Sequence, residues 1–133
     1  MLPLLREIRE AVSCHVAGLP VPYRTTDAEQ TFFSLTDPGL DGGRDGRPFP
    51  DALDPYVCTR YEIANFGREA NELGVGYIGV CCGAGPHHVR SLAEALGRTP
   101  AARRYTADMS KHAYLGTDPV VRREYREEYG RRL

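Results

Sequence analysis

The feature that most restricts how this chain can fold is the alternation of helix-sized and strand-sized apolar segments. Residues 3–13 read as a helix. Pro3 suits a first helical turn, and Leu4, Leu5, Ile8, Ala11 and Val12 recur on one face at three- and four-residue spacing. His15-Val-Ala-Gly-Leu-Pro-Val-Pro22 reads as a short buried strand whose prolines confine it to a strand end. A second helix opens with the capping box Thr59-Arg-Tyr-Glu62, carries Ile63, Phe66, Ala70 and Leu73 as its apolar stripe, and stops at Gly74. Val75-Gly-Tyr-Ile-Gly-Val80, too short for a helix, follows directly as a second buried strand. Pro86 then opens a third helix in which Val89, Leu92, Ala93 and Leu96 are expected to face inward, closed by Gly97. Strands that alternate with helices predict parallel pairing and an α/β fold. Two strands do not complete a parallel sheet, so the pattern is that of part of a larger α/β domain. A first helix that begins almost at residue 1 leads to the same expectation.

Residues 23–57 are irregular, punctuated by Asp37-Pro-Gly, Asp41-Gly-Gly and Arg47-Pro-Phe-Pro. A loop of this length inside a small domain is usually functional or a lid. After residue 98 Arg and Tyr dominate, and Asp118-Pro119 is expected to start a charged helix that runs to the end. That helix is most simply a solvated face, with Tyr125 and Tyr129 leaving a partner-binding role open. The whole chain, at 133 residues, suffices for one small domain. Seventeen basic residues against eighteen acidic ones leave a net charge of -1, so no basic excess marks a nucleic-acid or anionic-membrane partner. No apolar run is long enough for a transmembrane helix. Charges occupy the N-terminal region where a signal peptide needs its apolar centre. The expected location is therefore cytoplasmic, where thiols stay reduced.

Reduced thiols make the four cysteines, Cys14, Cys58, Cys81 and Cys82, metal ligands or buried thiols rather than disulfides. A disulfide between the neighbours Cys81 and Cys82 would in addition need a strained ring. In α/β folds ligands bind at the carboxyl ends of strands, and Cys81-Cys82 stands there, between a strand and the turn Gly83-Ala-Gly85. Two thiolates suit a soft divalent metal, zinc being the cytosolic default. Adjacent side chains on a straight strand point to opposite faces, so the chain must bend for both sulfurs to reach one ion, and Gly83 and Gly85 permit the bend. Two ligands are fewer than the three of an ordinary catalytic zinc site, and from spacing alone a pair of inert buried thiols stands beside the metal reading. His87 and His88, in the first turn of the next helix, offer a third ligand or a supporting partner, although a histidine there is more often a helix-start hydrogen-bonder. Cys14 is expected to be buried at the start of the first strand, and Cys58 to be structural. The glycines of Gly74-Val-Gly-Tyr-Ile-Gly lie within a strand rather than between strand and helix, which disfavours a dinucleotide loop.

Tyr77-Ile-Gly-Val-Cys-Cys-Gly-Ala-Gly-Pro-His-His-Val-Arg90 resembles the last-strand motif of the homocysteine S-methyltransferase family. Ala52-Leu-Asp-Pro, Thr59 to Gly74, and the tail from Lys111-His112 through Asp118 to Tyr129 are similar to the same region of the family's betaine-dependent branch. Members that use S-methylmethionine usually lack this tail. The resemblance implies a (β/α)8 barrel with zinc held by Cys81, Cys82 and a third cysteine in a Gly-x-Asn-Cys motif. It implies transfer of a methyl group from betaine or a related donor to homocysteine, giving methionine, in a homo-oligomer. Residues 1–98 would then be a C-terminal part of the barrel, about helix 6 to helix 8, and residues 99–133 an arm with oligomer contacts. No Gly-x-Asn-Cys exists here, and Val80 replaces the second glycine usual before the cysteines. The chain by itself is therefore expected to be inactive. The alternative is a non-catalytic zinc- or thiol-binding module, or an interaction protein that works through its tail.

Overall fold

A computed structural model of the chain describes residues 1–40, 46–111 and 117. The chain divides into two compact units, Met1–Pro100 and Ala101–Leu133. In the first, helix α1 (Leu2–Ala11), strand β1 (Ala17–Gly18), helix α2 (Arg60–Glu72), strand β2 (Tyr77–Ile78) and helix α3 (Pro86–Ala95) follow in the predicted order. In the second, the described residues form two 3-10 turns, Ala101–Tyr105 and Met109–Lys111. Asp108 precedes the latter and accepts from the Ser110 hydroxyl at 2.7 Å. The charged helix expected from Asp118 onward lies outside the described residues. No described helix is long and apolar enough to cross a membrane.

The strands pair in parallel, Ala17 against Tyr77 and Gly18 against Ile78, with α2 as the crossover that parallel neighbours require. They are shorter than the apolar runs suggest. Pro20 and Pro22 have no N–H to continue a ladder, and among the described residues each strand has a single partner. Backbone bonds nevertheless extend the contact past the regular strands, from Gly79 N–H to Gly18 C=O (3.0 Å) and from Cys81 N–H to Pro20 C=O (2.8 Å). Helix α2 begins as its sequence dictates: Thr59 accepts from the Glu62 N–H while Glu62 accepts from the Thr59 N–H at 2.6 Å. It ends at Gly74, whose φ of 76° only glycine adopts freely.

Leu5, Val16, Phe66, Ala70 and Val75 form the core, flanked by half-buried Leu2, Leu73 and Ile78. Only Leu5 of the five expected α1 face residues is buried; Leu4, Ile8, Ala11 and Val12 are exposed. Helix α1 meets the core through Leu5 and half-buried Leu2, and Leu5 packs so near Gly18 that an added Cβ there would lie 3.0 Å from a Leu5 methyl. In α3, Leu92 is buried as expected, but Val89 is exposed and His88 is buried in its stead. Helices α2 and α3 approach closely where Gly67 faces Leu92.

The loop between β1 and α2 is closed at its base. Tyr23 and Val57 form an antiparallel bridge, Arg24 N–H donates to Tyr56 C=O (2.7 Å) and Cys58 N–H to Pro22 C=O (2.8 Å). Tyr23, Phe32, Phe33 and Phe49 stack within it, with ring centroids 4.0–5.7 Å apart. The Arg24 guanidinium grips Glu62 with two hydrogen bonds, 2.9 and 2.6 Å, which ties the loop to the start of α2. That guanidinium holds the Glu62 carboxyl down from 4.5 to about 2. A carboxylate with a depressed folded-state pKa stabilises the fold above its unfolded value, and that contribution disappears as the pH falls through the folded value. The pair is solvent-exposed, so Glu62→Gln is expected to cost about 1 kcal/mol or less at neutral pH. It should also flatten the decline in stability between pH 4.5 and about 2. Urea titrations across that range test this, and an unchanged slope would contradict it.

Candidate metal centre

Cys81 and Cys82 leave the carboxyl end of β2 and are both exposed. The backbone bends there into a turn closed by Ala84 N–H to Cys81 C=O (3.2 Å), with Gly83 at φ 86°. The bend brings neighbouring side chains to the same side, and the two sulfurs stand 3.5 Å apart. Two thiolates bound to one tetrahedral zinc at about 2.3 Å each would lie roughly 3.8 Å apart. The pair therefore fits two adjoining corners of such a site with little adjustment.

The turn leaves no room for another residue at position 83. The Tyr23 side chain lies over it, and an added Cβ would collide with the phenol ring and hydroxyl. Gly83→Ala combines that collision with a left-handed backbone, and should cost about 1–2 kcal/mol or more. Equilibrium urea denaturation reads the loss; an alanine variant as stable as the parent would contradict the turn geometry.

Among the described residues no group of three His, Cys, Asp or Glu side chains could hold a metal ion. His88 is buried, 1% exposed, and both ring nitrogens are engaged. Gly85 N–H donates to Nδ1 at 3.0 Å. With Nδ1 accepting, the neutral ring carries its proton on Nε2, which donates to Cys58 C=O at 2.7 Å. The helix-start role holds for His88, and the ligand role does not fit. His87 is exposed; desolvation, and then the neighbouring His88, Arg60 and Arg90, push its pKa down. Cys58 is half-buried, and burial followed by the nearby Glu62 pushes its thiol up, partly offset by Arg24. It stays a protonated thiol, consistent with a structural role. Cys14 is exposed rather than buried as its sequence context suggested: α1 ends at Ala11 with Val12 extended, and Cys14 falls in the connection before β1 begins at Ala17. It precedes β1, so the topology sets it at the opposite end of the strands from Cys81 and Cys82. The contribution that sequence reasoning missed is the link from His88 to Cys58, between positions thirty residues apart.

No protein-family model matches the chain. Against curated proteins it is 35% identical to betaine–homocysteine S-methyltransferase 1 of Bos taurus, over 98% of this chain and 31% of that protein. It is 40% identical to the enzyme of the same name from Rattus norvegicus, over 76% of this chain and 26% of the relative. It is also 37% identical to an S-methylmethionine–homocysteine S-methyltransferase of Mus musculus, over 76% of this chain and 29% of the relative. The chain thus spans about a third of the length of the curated relatives it matches.

Proposed function

This chain is homologous along nearly its whole length to the betaine–homocysteine S-methyltransferases, and from that premise we propose that it supplies two of the zinc ligands, Cys81 and Cys82, of a homocysteine S-methyltransferase. The observation that carries the reading is the pair of adjacent exposed thiols whose sulfurs converge to 3.5 Å at the carboxyl end of a parallel strand, where α/β enzymes bind their ligands. A zinc ion bound there would stabilise the homocysteine thiol as a thiolate at neutral pH, the form that attacks a methyl group. This chain's own part is to hold two sulfurs ready. Cys81 N–H is bonded to Pro20 C=O and the turn closes on Gly83, so the backbone that carries the thiols is held by the chain's own hydrogen bonds. Cys58 is half-buried on the segment before α2, and burial pushes its thiol up.

The third ligand and most of the substrate pocket belong, in this reading, to barrel strands outside the 133 residues. Residues 1–98 are the C-terminal barrel portion, and residues 99–133 an arm that contributes to a homo-oligomer of a cytoplasmic enzyme. The test is a methyl-transfer assay on the complete protein that carries this segment, with homocysteine as acceptor and betaine or S-methylmethionine as donor. Methionine formed with either donor supports the reading, and the faster donor identifies the branch. A complete, folded protein that forms methionine with neither overturns it.

A further inference from the structure

The turn that carries the two thiols is held at both ends, and one of its anchors is a side chain the proposed chemistry does not use. At the near end, Cys81 N–H donates to Pro20 C=O (2.8 Å). At the far end, Gly85 N–H donates to Nδ1 of His88 (3.0 Å) and the opposite nitrogen of the ring donates to Cys58 C=O (2.7 Å). Cys58 N–H in turn donates to Pro22 C=O (2.8 Å). The ties form a circuit: the exit of β1, the start of the Cys81–Gly85 turn, the end of that turn, the His88 ring, Cys58, and the exit of β1 again. Every link is backbone except the imidazole. Its ring spans the gap rigidly and is almost wholly buried, so it cannot exchange these partners for water.

We propose that His88 is a positioning residue for the Cys81–Cys82 pair, clamping the far end of their turn to Cys58 and so fixing the approach of the two sulfurs. The inference rests on the reading of these thiols as zinc ligands, and it adds a residue that touches neither metal nor substrate. A helix-cap histidine would need only the bond to Gly85. The second bond, to a main-chain carbonyl on the segment before α2, is what couples the turn to the rest of the unit. Groups that orient metal ligands from behind typically change metal affinity about 10- to 100-fold when removed.

Two variants separate the clamp from the cap. In His88→Asn the short amide keeps an acceptor near Gly85 N–H but does not reach Cys58. In His88→Gln the longer amide reaches toward Cys58 but loses the rigid acceptor for Gly85. Zinc affinity of the complete protein, by chelator competition, should fall about 10- to 100-fold in the Asn variant and by less in the Gln variant. Each value is referred to the folded fraction measured by circular dichroism. A second probe needs no metal: phenylarsine oxide condenses with two neighbouring thiols, forming two As–S bonds and releasing water. Its capture by metal-free protein, taken as the difference from a Cys81→Ala/Cys82→Ala variant, should slow in the same order. Wild-type affinity and capture in a folded Asn variant would overturn the clamp. Should the Asn variant not fold, the Gln variant decides, with weakened capture supporting the clamp and unchanged capture overturning it. If the parent takes up no zinc while its arsenical capture still depends on His88, the metal reading fails and the clamp stands. If zinc binds equally to the parent and to a folded Asn variant, the clamp fails and the metal reading stands.

Discussion

Alanine at either Cys81 or Cys82 in the complete protein is expected to remove bound zinc and methyl transfer together, with activity reduced at least about 100-fold. Both side chains are exposed and neither belongs to the core, so the substitutions should leave the metal-free fold as stable as before. The loss would then be specific to the site. The sulfurs already stand 3.5 Å apart, and a zinc ion that loses one of them is left with an open, weakly bound coordination shell. Metal analysis of the purified variants, with the transfer assay on the same samples, checks the outcome. Zinc kept at full stoichiometry in either variant would contradict the assignment.

The largest effect on stability is expected at Phe66. It lies at the centre of the cluster formed with Leu5, Val16, Ala70 and Val75, and is 9% exposed. It packs in one cluster with Leu5 of α1 and with Val16 and Val75, which precede the two strands. Phe66→Ala should therefore cost about 3–5 kcal/mol, a large part of the stability of a typical domain. Urea denaturation of the complete protein, monitored by circular dichroism, measures it. A cost below about 1 kcal/mol would mean that α2 does not pack on this core.

Local chemistry was the legible part of the fold. Thr59 and Glu62 stand at capping-box spacing and form that box, and Gly74 and Gly97 end helices in left-handed conformations. The parallel pairing of two strands across a helix followed from the order of segments alone. What was not legible depends on partners distant in the chain. Periodicity put Val89 inside α3, yet His88 takes that place because its ring nitrogens find Gly85 on one side and Cys58 on the other. The apolar spacing of α1 was correctly helical, but spacing cannot say how wide a surface the rest of the unit offers: Leu5 is the buried residue of α1, with half-buried Leu2 packed beside it. Arg24 and Glu62 are thirty-eight residues apart, and no local rule joins them. At the candidate site, the sequence required a bend at the cysteines if the neighbouring thiols were to act together, with Gly83 and Gly85 to permit it; Gly83 supplies it in a left-handed conformation, whereas Gly85 is extended and caps α3.

The most direct test of the central claim is zinc K-edge X-ray absorption on the complete, metal-loaded protein. Sulfur scatterers are expected at about 2.3 Å from the metal, fewer by one in a Cys81→Ala or Cys82→Ala sample reloaded with excess zinc. A first shell of nitrogen and oxygen alone, or a sulfur shell that does not change in either variant, would contradict it.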